Sequence, residues 1–243
     1  MSDEDYYFLG TQIVYSNPGT TKFQIMDGQQ RLTTITALLS VIKSHLENHR
    51  DALAQGDEFD KVNEFILDEI DKYFWYFKGT KKFPVLTPKE SSSKTVLSNL
   101  RKLRGKDPKS IDPPKDDGKT LPGGKNLLDA AIYMYNEVMK KAKLENKKDP
   151  NKELMKFVET LSKRVIITFT RTENISMAFQ MYISVNGPNA KPLNTFDLFR
   201  GLLVQRAYVI KMPAKIEPRV NELNKKIRPI KRMGEKELDR VMT

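Results

Sequence analysis

Asp27-Gly28-Gln29-Gln30-Arg31 is the stretch of this chain most able to do chemistry. Its five residues carry almost no apolar surface and lie between a strand-like run and a helical one. Asp27 can hold a metal ion or orient a water, and Gln29 and Gln30 can read or position a ligand. Arg31 can grip a phosphate through two N–H bonds. Gly28 lets the backbone approach a ligand closely or take positive φ. Thr33 and Thr34, just downstream, offer hydroxyls. A helix starting here presents unpaired amides and the positive end of its dipole, which favours anions, phosphate above all. The same residues also suit a plainer role, with Asp27 as helix N-cap and Arg31 paired on the surface. Spacing alone leaves both readings open.

The elements that must position these side chains are legible on either side. Lys22–Met26 alternates, with Phe23 and Ile25 on one face, as a half-buried strand does. Leu32, Ile35, Leu38, Leu39, Ile42 and Leu46 recur at helical spacing, which predicts a helix buried on that face and ending near His45–Arg50. Upstream, Tyr6–Tyr15 is rich in aromatic and β-branched residues, and Ser16-Asn17-Pro18-Gly19-Thr20 is a turn by composition. A hairpin therefore delivers the chain into the polar turn. Arg164–Thr170 is the best third strand and is expected to pair with that hairpin. Asn174–Val185 reads as a helix stopped by Asn186-Gly187-Pro188. Lys191 in the same loop is a candidate phosphate contact, and Asn194 or Thr195 caps a further helix with Asp197 in its first turn.

The middle of the chain is mainly helical. Between Glu58 and Lys78, Phe59, Val62, Phe65, Ile66, Ile70, Tyr73, Phe74 and Phe77 fall on one broad face, a stripe assigned to packing. Thr87–Arg104 holds a weaker helix with caps from Ser91, Ser92 and Ser93. Gly105–Gly124 is dense in Pro, Gly, Lys and Asp and reads as a long exposed loop or hinge. Its Gly118-Lys119-Thr120 is no phosphate loop, because the upstream glycine position holds Pro113 and no strand precedes it. Leu121–Asn126 reads as a turn, and Leu127–Leu144 and Asn151–Lys163 as amphipathic helices. The tail, Lys211–Thr243, is basic and proline-punctuated; it suits contact with nucleic acid or a downstream domain, or a solvated role. The expected fold class is α+β, with a small sheet carrying the site. The expected organisation is residues 1–50 as the first part of the core, 51–163 as a helical insertion, 164–210 as the second part of the core, and 211–243 as a basic helical tail.

Composition narrows the classes further. The chain has 243 residues, of which 39% are hydrophobic and 30% charged, enough for a buried core under a highly charged surface. Lys and Arg number 42 against 31 Asp and Glu, a formal net charge of +11 that favours polyanions, a nucleic acid first. With no cysteine, disulfides, thiolate metal sites and thiol catalysis are excluded. His45 and His49 are the only histidines, one helical turn apart, and nothing nearby in sequence completes a metal site around them. No apolar run approaches ~18 residues. The acidic N-terminus lacks a signal-peptide pattern, so the protein is expected in the cytoplasm, away from membranes.

Two stretches carry a resemblance. Phe8–Val14 (FLGTQIV), a spacer, and Phe23–Thr34 (FQIMDGQQRLTT) resemble the N-terminal domain family of GmrSD-type, modification-dependent restriction enzymes. That family is similar in turn to the ParB and sulfiredoxin nucleotide-binding fold, and DGQQR at the strand-to-helix turn is its signature. Met177–Arg200 resembles the family's second motif, in which an aromatic precedes an asparagine by four residues and a D-L-x-K/R helix follows. The two matches span roughly a quarter of the chain. The resemblance implies NTP binding and Mg²⁺-dependent NTP hydrolysis coupled to DNA restriction. It implies that Arg31 and the amides around Gly28–Thr33 bind phosphates, and that Asp27 binds Mg²⁺ or orients water. Gln29 and Gln30 then position the nucleophile or the phosphate, and Asn186 completes the pocket. It also implies DNA as a partner, with a nuclease subunit or downstream domain.

Three departures stand beside it. Family members usually carry an upstream segment with a Gln-Arg pair, whereas this chain begins almost at the FLG strand. The aromatic before Asn186 is Tyr182 where Phe is expected, and the following loop is about one residue longer. The full enzymes carry a His-dependent nuclease, and both histidines here fall inside the first helix, so no nuclease domain of that kind is expected. These departures suggest a truncated product, a fragment, or a subunit that needs a partner. The competing function is a degenerate, non-catalytic module that senses DNA or nucleotide. A blander third is a helical scaffold whose basic faces keep it soluble.

Overall fold

The computed structural model describes residues 6–16, 19, 22–53, 55–144 and 150–185. The chain divides into two compact units, one of residues 1–10 and 28–167, the other of residues 11–27 and 168–243. Helices and short strands are mixed throughout, so the class is α+β.

Most residues of a three-stranded sheet, of order β2-β1-β7, belong to the second unit. The strands are β1 (Tyr7–Tyr15), β2 (Gln24–Asp27) and β7 (Val165–Thr172). β1 and β2 pair antiparallel, Tyr15 opposite Gln24 and Val14 opposite Ile25, with a register irregularity between Ile13 and Val14. Direct partners share a face, so Met26, two residues from Gln24, lies on the side of Tyr15. Met26 accordingly packs on the small core of Ile13, Tyr15 and Ala178, with Ile175, Met181 and Tyr182. The expected pairing of Phe23 with Ile25 as the inward residues does not hold. Phe23 precedes the strand and is exposed, its ring edge-on to Phe169 at 6.1 Å and beneath the Arg171 guanidinium at 5.1 Å. The third strand joins β1 as expected, and the Ser16 amide donates to the Thr172 carbonyl at 3.2 Å. Helix α7 (Ile175–Val185) starts at a side-chain cap, Asn174 Oδ1 accepting from the Met177 amide at 3.2 Å.

The first unit is helical. Helix α1 (Gln29–Leu53) is its spine and packs against α2 (Asp57–Phe65), α4 (Ser91–Leu100), α5 (Pro122–Leu144) and α6 (Pro150–Arg164). Being surrounded, α1 buries more than its leucine stripe: Thr36, Ala37, Ser40, Val41, Lys43 and Ser44 are buried beside Leu39, Ile42 and Leu46. Its small polar residues tolerate this because they bond within the helix, Thr36 Oγ1 to the Leu32 carbonyl at 2.8 Å and Ser40 Oγ to the Thr36 carbonyl at 2.7 Å. Lys43 is held by Asp71, Nζ to Oδ1 2.6 Å, with Glu47 at 3.5 Å. Asp71 closes a π-helical stretch, Ile66–Asp71, that continues α2 and leads into the short α3 (Lys72–Phe74). Val96, Leu97 and Leu100 of α4, Leu128 and Ala131 of α5, and Leu154 and Val158 of α6 complete the core.

Four readings of this region are corrected. The helix expected to run from Glu58 to Lys78 stops at Phe74. Trp75–Lys78 is strand β3, paired antiparallel with β4 (Lys81–Pro84) across Gly79-Thr80. The aromatic run WYFK favours a strand, and the Gly79-Thr80 pair supplies a two-residue loop. Val62, Phe65, Ile66, Ile70 and Phe74 are buried as expected, but Phe77 is 68% exposed and Tyr73 is exposed. The loop expected over Gly105–Gly124 contains a 3₁₀ turn, Pro108–Ser110, and a small ribbon of β5 (Lys115–Asp116) and β6 (Lys119–Thr120). Helix α5 begins at Pro122, where a turn was expected, proline being suited to the first helical position. Ser92 and Ser93 lie inside α4 and donate to the Glu90 carboxylate instead of capping.

Candidate functional site

The polar turn sits where β2 hands over to α1. Asp27 is the last residue of β2, opposite Ile13. Gly28 follows at φ +88°, a conformation that costs any L side chain, and is buried. Its carbonyl accepts the first helical bond, from the Leu32 amide at 3.2 Å. Gly28 therefore holds the N-cap position and Asp27 stands one residue before it, which corrects the plainer reading of Asp27 as N-cap. No acidic residue occupies the first turn of α1. The first-turn amides Gln29–Arg31 have no carbonyl within the helix to bond, and the positive end of the dipole lies there.

Arg31 is half-buried and its Nη1 donates to the Leu9 carbonyl at 3.1 Å. The next residue, Gly10, has φ +92°, and a Cβ on it would lie 2.7 Å from that Nη1. The guanidinium thus lies across a bare stretch of backbone that only glycine supplies. The Phe8-Leu9-Gly10 run is the seat of Arg31, a link the spacing of Asp27–Arg31 did not reveal. Its signal in the sequence was a glycine inside an otherwise aromatic and β-branched strand.

The other candidates differ in access. Gln30 and Thr34 are exposed and Gln29 is half-buried. Thr33 is buried, and its hydroxyl donates to the Gln29 carbonyl at 2.8 Å. Asn186 and Lys191 lie outside the described residues, as do Asp197 and the tail. Tyr182, four residues before Asn186, is half-buried against the Ile13–Ala178 core. Among the described residues, no group of three or more His, Cys, Asp or Glu could hold a metal ion. His49 Nε2 lies 3.2 Å from Glu58 Oε1. No described helix is long and apolar enough to cross a membrane.

Sequence reasoning missed Gln12. It is 1% exposed in β1, and neither its amide nitrogen nor its amide oxygen has a partner among the described residues. The Ser16 hydroxyl is in the same condition. Such groups are rare, because an unpaired buried amide costs about 1–3 kcal/mol. Only a glutamine inside an apolar strand run hinted at it.

The family model described as GmrSD restriction endonuclease, N-terminal domain, matches residues 3–204. No curated protein matches the chain.

Proposed function

This chain belongs to the GmrSD restriction endonuclease N-terminal domain family, a family of restriction and phage-defence proteins, and from that premise we propose that it binds and hydrolyses a nucleoside triphosphate. The observation that carries the reading is the seat of Arg31: a guanidinium held on the Leu9 carbonyl over Gly10, in the first turn of a long helix. A guanidinium held beside a helix N-terminus suits the terminal phosphates of a triphosphate. The proposed core is a ParB-like nucleotide fold, and the proposed partners are DNA and a nuclease subunit or domain.

The chemistry is attack of water on the terminal phosphate, with the diphosphate leaving. It needs in-line positioning and relief of charge on the transferring group, and no covalent intermediate. Arg31 and the amides of Gln29 and Gln30 hold the phosphates; Gly28 and Thr34 keep the backbone and a hydroxyl beside them. Gln29 and Gln30 orient the water, and Asn186, by the resemblance of the second motif, is a further proposed nucleotide contact. The lone carboxylate fits Mg²⁺, which needs few protein ligands when the nucleotide's phosphates supply others. Asp27 would hold that ion, which when bound neutralises phosphate charge.

Melting curves with each of the four NTPs and Mg²⁺ test binding, since a ligand of the folded state raises Tm. Phosphate release tests turnover. Asp27→Ala and Arg31→Ala should abolish release while the fold survives. Undiminished turnover in either would refute the assignment. A Tm shift with no release from the unaltered chain would identify it instead as a sensing module.

A further inference from the structure

We infer that the β3–β4 ribbon is a docking element for duplex DNA. The inference deepens the DNA side of the proposed function and is independent of its nucleotide side. The ribbon is a ten-residue hairpin, Trp75–Pro84, whose Tyr76–Lys82 stretch is exposed throughout. Its tip stands clear, with nothing within 4 Å of where a Cβ on Gly79 would lie. From Lys72 to Lys89 the chain holds five lysines and no acidic residue. Register sets what each face carries. Trp75 and Phe77 share a face with Lys82, whose ammonium lies 4.6 Å from the Trp75 ring and 5.9 Å from the Phe77 ring. The other face carries the stacked Tyr76 and Phe83, centroids 5.4 Å apart, with Lys78 and Lys81 directly opposed.

Two like charges in direct cross-strand register repel, and a polyanion laid across them relieves that repulsion. Neither Lys78 nor Lys81 has an ion-pair partner among the described residues. Phe77, 68% exposed in the same hairpin, is surplus to the core, where the buried aromatics of this stretch are Phe65 and Phe74. Lysines for phosphates and exposed rings for sugars and base methyls are what a nucleic-acid surface requires. A two-stranded ribbon is one of the shapes the major groove admits.

The ribbon is also held firmly at its base. The Val85 amide donates to the Phe74 carbonyl at 2.9 Å. Arg101, buried at the end of α4, donates to the Leu86 carbonyl at 2.8 Å and lies 5.7 Å from the Trp75 ring. Burial lowers its pKa to about 10, so it remains charged at neutral pH. A rigid mount keeps the ordering cost of docking small.

The test is binding of a short fluorescent duplex to the full chain across a salt series. Lys78→Ala/Lys81→Ala is compared with Lys61→Ala/Lys94→Ala, which removes the same charge from exposed helix positions. The hairpin pair should lower the slope of log K against log salt by about 2, and the control pair by much less. Phe77→Ala should weaken binding about tenfold with the slope kept. Equal losses in both pairs, no loss in either, or tighter binding of the single strand than of the duplex would each overturn the inference. Melting of every variant, with and without NTP, is read alongside. It reports folding, and a lost nucleotide response in the unaltered chain would count against the nucleotide site alone.

Discussion

Gly10→Ala is the sharpest test of the Arg31 seat. The added Cβ would meet Nη1 at 2.7 Å and Cζ at 3.4 Å. A comfortable contact is about 3.5 Å, so Nη1 must retreat by about 0.8 Å. Its bond to the Leu9 carbonyl starts at 3.1 Å, and such a retreat stretches it past the limit of about 3.5 Å for a useful hydrogen bond. The backbone adds its own penalty, because alanine at φ +92° costs about 1–2 kcal/mol. Loss of a charged donor's bond costs about 1.5–3 kcal/mol when buried. Arg31 is half-buried and recovers part of that from water, so Gly10→Ala should cost about 2–4 kcal/mol. Arg31→Ala alone should cost about 1–2 kcal/mol. With the guanidinium gone, the Cβ at residue 10 has nothing to strike and only the backbone term remains. The double variant should therefore be about 1–2 kcal/mol more stable than additivity predicts. Urea unfolding of the four proteins measures this. Additivity within about 0.5 kcal/mol would refute the seat.

Two further outcomes follow from buried polar groups. Gln12→Met removes an amide with no partner among the described residues at nearly constant volume, so it should stabilise by about 1 kcal/mol or more, read as a raised urea midpoint at unchanged m-value; a loss of stability would show that the amide is paired. The pKa of His45 is lowered from 6.5 by burial, and further by His49, against a raising bond from the Asn151 side chain. The unfolded chain then binds more protons below about pH 6.5, so the His45 contribution is complete above that value and is lost as pH falls through it toward the folded pKa. Stability should drop as pH falls from about 7.5 through 6.5, and His45→Gln should flatten that drop; an unchanged slope would sink the assignment.

Much of the architecture was written locally. The helical period after Leu32 gave α1, because hydrophobic spacing records which face is buried, whereas the run before Asp27 gave the strand and the turn but not the inward face, which Met26 and not Phe23 supplies. Arg164–Thr170 was recognisable as the third strand, and Asn174 as the start of α7. Periodicity failed between Trp75 and Pro84. Aromatics at positions 73, 74 and 77 fit a helical face as well as a strand, and short apolar runs do not separate the two. Only a backbone reversal at Gly79-Thr80, closed by pairing, decided it.

By itself the sequence determined the class of the protein: a basic, cysteine-free α+β chain with DGQQR at a strand-to-helix turn, matched over residues 3–204 by the model of the family to which it belongs. Tertiary structure decided what those residues touch. That Arg31 rests on Leu9 and Gly10, twenty-odd residues upstream, is a contact no local pattern encodes. That Gln12 is buried, while Phe77 kept its exposure, depended on which surfaces packing covered. Side-chain periodicity reports a face, and only the folded chain says what lies against it.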